Sequence, residues 1–402
     1  MNVKSAGPWL LLFVSVLSLL QARSSEAVPA FARREGVKCQ MCHFRLPELN
    51  QDGHAYIQRG FREERGGMTP ETGMVMGTRE AAKAPAAATA RPLGQPLPLE
   101  WQDYLTVMGH HTYEARNHEK AMFHAGMIDV WIGGPLDQHS SAIVGLEVDM
   151  ETGGVHGEQA YAQFNTAWSS RFASVRVGQL LPFAVLFNGG GAAMPLSRPV
   201  VLTAPASAEN PWAANTLIRG AELGVVDLSR WNAYVGVGQP QIEGLMGASH
   251  TDVYASTEYL IGEQGNSVSG FGYKGTISAS PGQPAVGYDR VALFANVYRP
   301  RAKGVLGLLW GNDRPTGGQS LGTAGGFLLG EVLLAERWAT YARYDWANRD
   351  TPVGNAETTD GPTLGVSFWA QTQVRLSIET QFLQSTGAAR DRSATAELMW
   401  AF

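Results

Sequence analysis

From Trp101 to Phe402 the chain alternates apolar and polar residues with a period of two, in one segment after another. In Ala142, Val144, Leu146, Val148 and Met150 the even positions are apolar, and Gly145, Glu147, Asp149 and Glu151 lie among the odd ones. Val374, Leu376, Ile378, Thr380 and Phe382 repeat the pattern against Arg375, Ser377, Glu379 and Gln381. Trp338, Ala342, Tyr344 and Trp346 share one face, with Arg337, Arg343 and Asp345 on the other. A strand with one apolar and one charged face suits a membrane barrel, lipid outside and water inside. A soluble sandwich has the same period with its apolar face buried, so the connections must separate the two.

About sixteen such segments are present, each of roughly ten residues, the size and even number of a transmembrane barrel. They begin near Tyr104, Met122, Ser141, Glu158, Phe172, Ile218, Trp231, Thr251, Asn266, Arg290, Gly304, Phe327, Arg337, Gly361, Gln373 and Ser393. Long connections at 240–250, 277–288, 312–325, 348–360 and 384–392 alternate with tight turns such as Ser229-Arg230, Gly262 to Gly265 and Arg299 to Ala302. Short periplasmic turns and long outer loops produce that order, whereas a sandwich has no reason to keep it. The longest connection, Leu181 to Asn215, has the position of the third outer loop, which in general porins folds inward and narrows the pore. Leu398, Trp400 and Phe402 alternate up to a terminal aromatic, as in the last strand of outer-membrane barrels.

Composition narrows the function classes. A net charge of −5 and the lack of a long Lys/Arg run exclude nucleic acid as a partner. Lys4, the apolar core Trp9 to Leu20 and Ser25-Glu26-Ala27 read as an export signal over residues 1–27. Beyond it, no apolar stretch is long enough to cross a bilayer as a helix. Residues 28–76 are mixed and polar, and residues 77–100 carry an Ala/Pro-rich run that reads as a linker.

The only two cysteines stand together in Cys39-Gln40-Met41-Cys42-His43, the attachment pattern of haem c. Two thiols three positions apart lie on one side of a helical turn and reach the two vinyl groups of one haem. His43 then meets the iron as its proximal ligand. A zinc site would need a second ligand pair, and a redox dithiol would need a βαβ setting; neither is visible. For the second axial position His54, Met68, Met74 and Met76 are all open candidates. His110, His111 and His124 read as lumen-lining residues, and Glu147, Asp149, Glu151, Arg337, Arg343, Arg375 and Glu379 as a solvated lumen wall. No nucleophile elbow, zinc-protease helix or phosphate-binding loop is present. The expected fold is therefore mainly β: an antiparallel transmembrane barrel at 101–402, preceded at 28–76 by a small monohaem cytochrome c domain.

Pro29-Ala30-Phe31-Ala32-Arg33-Arg34-Glu35-Gly36, followed by Cys39 to His43, Phe44, Pro47, Leu49, Asn50 and Gly53, resembles the opening of the fused monohaem cytochrome–porins of iron-oxidising bacteria. The motif-level match covers that stretch; over the barrel the likeness is architectural. His54 departs from the basic or hydrophobic residue expected after Gly53. The resemblance implies that extracellular Fe(II) is oxidised and that one haem c passes the electron to a periplasmic carrier, a c-type cytochrome or a copper protein. It also implies outer-membrane lipid around the barrel and a haem domain held within it. Two other expectations compete: a diffusion porin with a haem-bearing plug, and a conduit running outward to an extracellular acceptor. An open pore separates the porin from both conduits.

Overall fold

The computed structural model describes residues 30–35, 37–62, 103–117, 119–168, 171–190, 193–207, 210–227, 230–242, 251–262, 265–278, 285–352, 354, 356–388 and 390–402. The expected export signal and Ala/Pro-rich linker lie outside the described residues. The N-terminal segment forms α1 (Ala30–Glu35), a 3-10 turn (Cys39–Met41), the short strands β1 (His43–Arg45) and β2 (Glu48–Leu49), and α2 (Gln51–Gln58).

Sixteen strands follow: β3 (Leu105–Arg116), β4 (Met122–Pro135), β5 (Ser140–Asp149), β6 (Val155–Trp168), β7 (Arg171–Leu180), β8 (Ile218–Asp227), β9 (Trp231–Pro240), β10 (Asp252–Ile261), β11 (Asn266–Ile277), β12 (Val286–Arg299), β13 (Ala302–Pro315), β14 (Leu321–Ala335), β15 (Trp338–Asp350), β16 (Ala356–Gln371), β17 (Val374–Ser385) and β18 (Asp391–Ala401). Each pairs antiparallel with its neighbours in the chain, and β18 pairs with β3 to close the barrel. Closure leaves no sheet edge, which is what lets a β structure sit in lipid. All sixteen expected strands are present. β12, β14 and β16 start four to six residues earlier than their alternation suggests, at Val286, Leu321 and Ala356. Beyond the apolar belt the faces carry small and polar residues such as Thr323, Gly325 and Thr358. There the backbone ladder continues although the hydropathy signal has faded.

The alternation resolves into two environments. Along β10, Asp252, Tyr254, Ser256, Glu258 and Leu260 are buried in the lumen, while Val253, Tyr259 and Ile261 are about half exposed on the outside. Leu293, Leu328, Leu364 and Ile378 extend that outer apolar belt around the wall. Such a belt is stable in lipid and costly in water. Trp338 packs on Phe368 at 4.6 Å and Trp400 on Phe402 at 5.2 Å, an aromatic margin at one end of the belt.

At that same end the connections are 136–139, 169–170, 228–230, 262–265, 300–301, 336–337 and 372–373; at the other they are 117–121, 150–154, 181–217, 241–251, 278–285, 316–320, 351–355 and 386–390. The short turns mark the periplasmic side. The connection 181–217 carries α3 (Phe183–Asn188) and α4 (Val200–Thr203) and folds into the lumen, as its place as the third outer loop implies. Arg375 donates to Pro195 O, Arg343 to Ser197 O at 2.5 Å and Arg349 to Pro205 O at 2.9 Å. Arg343, Arg375 and Glu379 are thus about 2 % exposed, not a solvated wall: the inward loop covers them and gives each a partner beside those on the wall.

Candidate cofactor site in the periplasmic mouth

The Cys39–His43 motif is a tight turn. Met41 N donates to Lys38 O at 2.9 Å and Cys42 N to Cys39 O at 3.1 Å, so both thiols project from one coil of backbone. Both cysteines are half-buried, and burial pushes the Cys39 thiol above its ordinary value. His43 opens β1, with its Nδ1 3.0 Å from Pro47 O. That contact assigns the proton to Nδ1 and leaves the Nε2 lone pair available. Burial pulls His43 down to about 4, against hydrogen bonds to Pro47 and Glu48, so its imidazole is neutral at physiological pH, the form that binds iron.

The residues after the motif lock α2 onto this turn. Asn50 caps the helix by accepting from Gly53 N at 3.0 Å, and its side-chain nitrogen donates to Met41 O at 3.1 Å. Its backbone N donates to Cys42 O at 3.0 Å. Gly53 then lies so close that a Cβ would stand 2.1 Å from Cys42 O and 2.8 Å from Leu49 Cδ2. The Leu-Asn-x-x-Gly spacing is thus the geometry of a helix seated on the Cys39–His43 turn. On the far side Phe31 stacks on Phe61 at 5.2 Å and meets Tyr56 edge-on at 6.0 Å; Arg34 donates to Tyr56 Oη at 2.6 Å.

This unit sits inside the barrel at the short-turn end. Ala30 N donates to Thr106 Oγ1 at 3.0 Å, Arg62 to Asp137 O at 2.6 Å, and Arg45 to Glu336 O at 2.9 Å. Gln163 Nε2 reaches Gln58 O at 2.7 Å, and Leu46 packs against Met399 and Ala401. Just past the short turn 300–301, Lys303 Nζ donates to Glu48 at 2.5 Å and to Ala193 O of the inward loop at 2.6 Å. His54 of α2 stacks on Phe187 of α3 with ring centroids 4.1 Å apart. One apolar cluster runs without a break from Leu49, Tyr56 and Phe61 through Phe183, Phe187 and Leu202 to wall residues such as Tyr234, Phe294 and Phe327.

The expected attachment residues Cys39, Cys42 and His43 lie together on one turn in the mouth. Their donor set fits a covalent haem: two thiols on one coil and a neutral imidazole whose outer nitrogen is held by a carbonyl. Of the candidates for the second axial position only His54 is described; Met68, Met74 and Met76 lie outside the described residues. His110 faces the lumen between Asp129 and Glu397, at 3.3 and 3.2 Å, and His124 pairs with Glu151 at 3.1 Å. His111, expected beside them, turns outward opposite Leu398 and packs on Trp400, because neighbouring strand residues alternate. Asp129, Glu147 and Glu158 bring carboxylate oxygens within 4.8 Å of one another on the lumen wall. The docking partners Lys303 and Phe187 were missed: alternation puts Lys303 on the inner face, but no local pattern pairs it with Glu48.

No family model and no curated protein matches the chain. Solved structures do. The anion-selective porin from Comamonas acidovorans superposes with a TM-score of 0.60 at 14 % identity, over 74 % of this chain and 98 % of that one. The outer-membrane expressed OmpT of Vibrio cholerae gives 0.57 at 9 % identity, over 77 % and 100 %. A loop L8 deletion mutant of that OmpT gives 0.57 at 10 %, over 74 % and 98 %. The likeness is one of fold. Together with the outer apolar belt, it makes this chain a porin-like barrel of the outer membrane.

Proposed function

We propose that this chain is an outer-membrane electron-transfer protein of the fused monohaem cytochrome–porin type. It carries one haem c on Cys39 and Cys42 with His43 on the iron. It takes electrons from extracellular Fe(II) and delivers them to a periplasmic c-type cytochrome or copper protein. The observation that carries this reading is the seat of the Cys39–His43 turn: in the periplasmic mouth, under a helix whose His54 meets Phe187 of the inward loop.

Bound haem c supplies a one-electron iron couple. The chain's own residues do the rest. Cys39 and Cys42 fix the group to a segment too small to bury it alone. Pro47 O holds the His43 ring through Nδ1. The Glu48–Lys303 pair, Arg45 and Arg62 anchor the segment to the wall. The apolar cluster excludes water between that segment and the inward loop. Carboxylates of Asp129, Glu147 and Glu158 on the lumen wall favour a cationic donor. A diffusion porin keeps a polar, water-filled interior, and here the lumen holds an apolar core.

The test is anaerobic stopped-flow mixing of purified full-length protein with Fe(II), followed by the haem absorbance. Reduction within the mixing experiment is expected. A haem that stays oxidised under excess Fe(II) at every pH tried overturns iron oxidation and leaves the outward conduit or the plugged porin.

A further inference from the structure

We propose that His54 is the second protein ligand of the haem iron, an assignment that rests on the haem reading above. His54 is 1 % exposed, and neither ring nitrogen has a hydrogen-bond partner among the described residues. Buried polar groups are almost always paired, so an imidazole left bare at both nitrogens marks a missing partner. Its position says which one. His54 follows Gly53, the residue at which α2 touches Cys42 O, so the bare ring stands on the helix that is seated on the attachment turn.

The ring is also held in place. Phe187 stacks on it at 4.1 Å with 15° between the planes, which fixes its orientation from the loop side. The other buried base nearby, Lys303, already donates to Glu48 and Ala193 O. Met194, 1 % exposed in the inward loop, packs as an apolar side chain that needs no polar partner. Two imidazoles around the iron give a lower potential than an imidazole and a thioether, because the thioether is the weaker donor to Fe(III).

The experiment uses purified full-length protein, with covalent haem first verified by staining after denaturing electrophoresis. Absence of stain in the unmodified protein defeats the haem reading itself; everything below tests His54 alone. The oxidised protein is expected to be low-spin by electron paramagnetic resonance and to lack the methionine–iron band in near-infrared magnetic circular dichroism. His54→Ala is expected to become high-spin and to bind carbon monoxide when reduced, with added imidazole restoring the low-spin form. His54→Met, which keeps the volume against Phe187, is expected to gain the methionine–iron band and a higher potential. A methionine–iron band in the unmodified protein, or an unchanged low-spin spectrum in His54→Ala, overturns the assignment. If His54→Ala loses its haem, His54→Met decides, and an unmodified spectrum there also overturns it.

Discussion

Lys303 on the barrel wall donates to Glu48 of the N-terminal segment at 2.5 Å, and neither side chain has any solvent exposure. Glu331, directly across the ladder from Lys303, is also buried. A buried pair contributes little over an apolar replacement, yet removing one partner strands the other charge.

Lys303→Met is therefore expected to cost about 3–5 kcal/mol, expressed as release of residues 30–62 from the mouth. Limited proteolysis of the folded barrel measures this release. The double variant Lys303→Met/Glu48→Leu is expected to recover most of the loss. Equal behaviour of the single and double variants would show that the pair is no anchor.

Covalent attachment is tested at the thiols. Cys39→Ala/Cys42→Ala is expected to lose all haem staining after denaturing electrophoresis while the barrel keeps its heat-modifiable mobility. Retained staining means that the motif has been misread.

Gly53 offers a finer probe of the same turn. Gly53→Ala puts a Cβ against Cys42 O, and overpacking of this kind costs about 1–3 kcal/mol. The yield of haem-bearing protein is expected to fall several-fold. Gly272→Ala on β11, where nothing lies within 4 Å of an added Cβ, serves as the matched control and is expected to leave that yield unchanged.

Ion conductance separates the plugged conduit from a diffusion porin. In planar bilayers the full chain is expected to show no steady open pore, because the segment and the inward loop fill the lumen together. Steady large conductance from haem-loaded protein would favour the porin reading.

The barrel was almost wholly legible in the sequence because each wall residue answers to one of two solvents. Val144, Leu376 and Ile378 meet lipid, and Arg375 and Ser377 meet the interior, so the period of two carries the strands, their faces and their order. Strand ends were less legible where both faces turn polar, as before Phe327. The Cys39–His43 turn was readable because its pattern is local: five consecutive residues hold the thiols and the imidazole. The docking was not. Glu48 and Lys303 are 255 positions apart, and five strands, β3 to β7, lie between His54 and Phe187 in the chain. The buried state of Arg343 and Arg375 was hidden for the same reason, since the inward loop that covers them belongs to another part of the chain.

Labelling on intact cells checks the map. A cysteine at Thr316, on the long-loop side, is expected to react with an impermeant maleimide, and one at Arg301, in a short turn, is not. Equal labelling of the two would defeat the assigned orientation.

The N-terminal segment also straddles the joint where the cylinder shuts. Ala30 holds Thr106 on β3, while Leu46 packs on Met399 and Ala401 of β18, with Met108 of β3 against the same cluster. These two strands are the farthest apart in sequence of any pair in the sheet, so their meeting carries the largest loop-closure entropy. A segment that grips both lips acts as a clasp. It offers the last strand a surface already fastened to the first, so docking of the segment and closure of the wall favour each other during assembly.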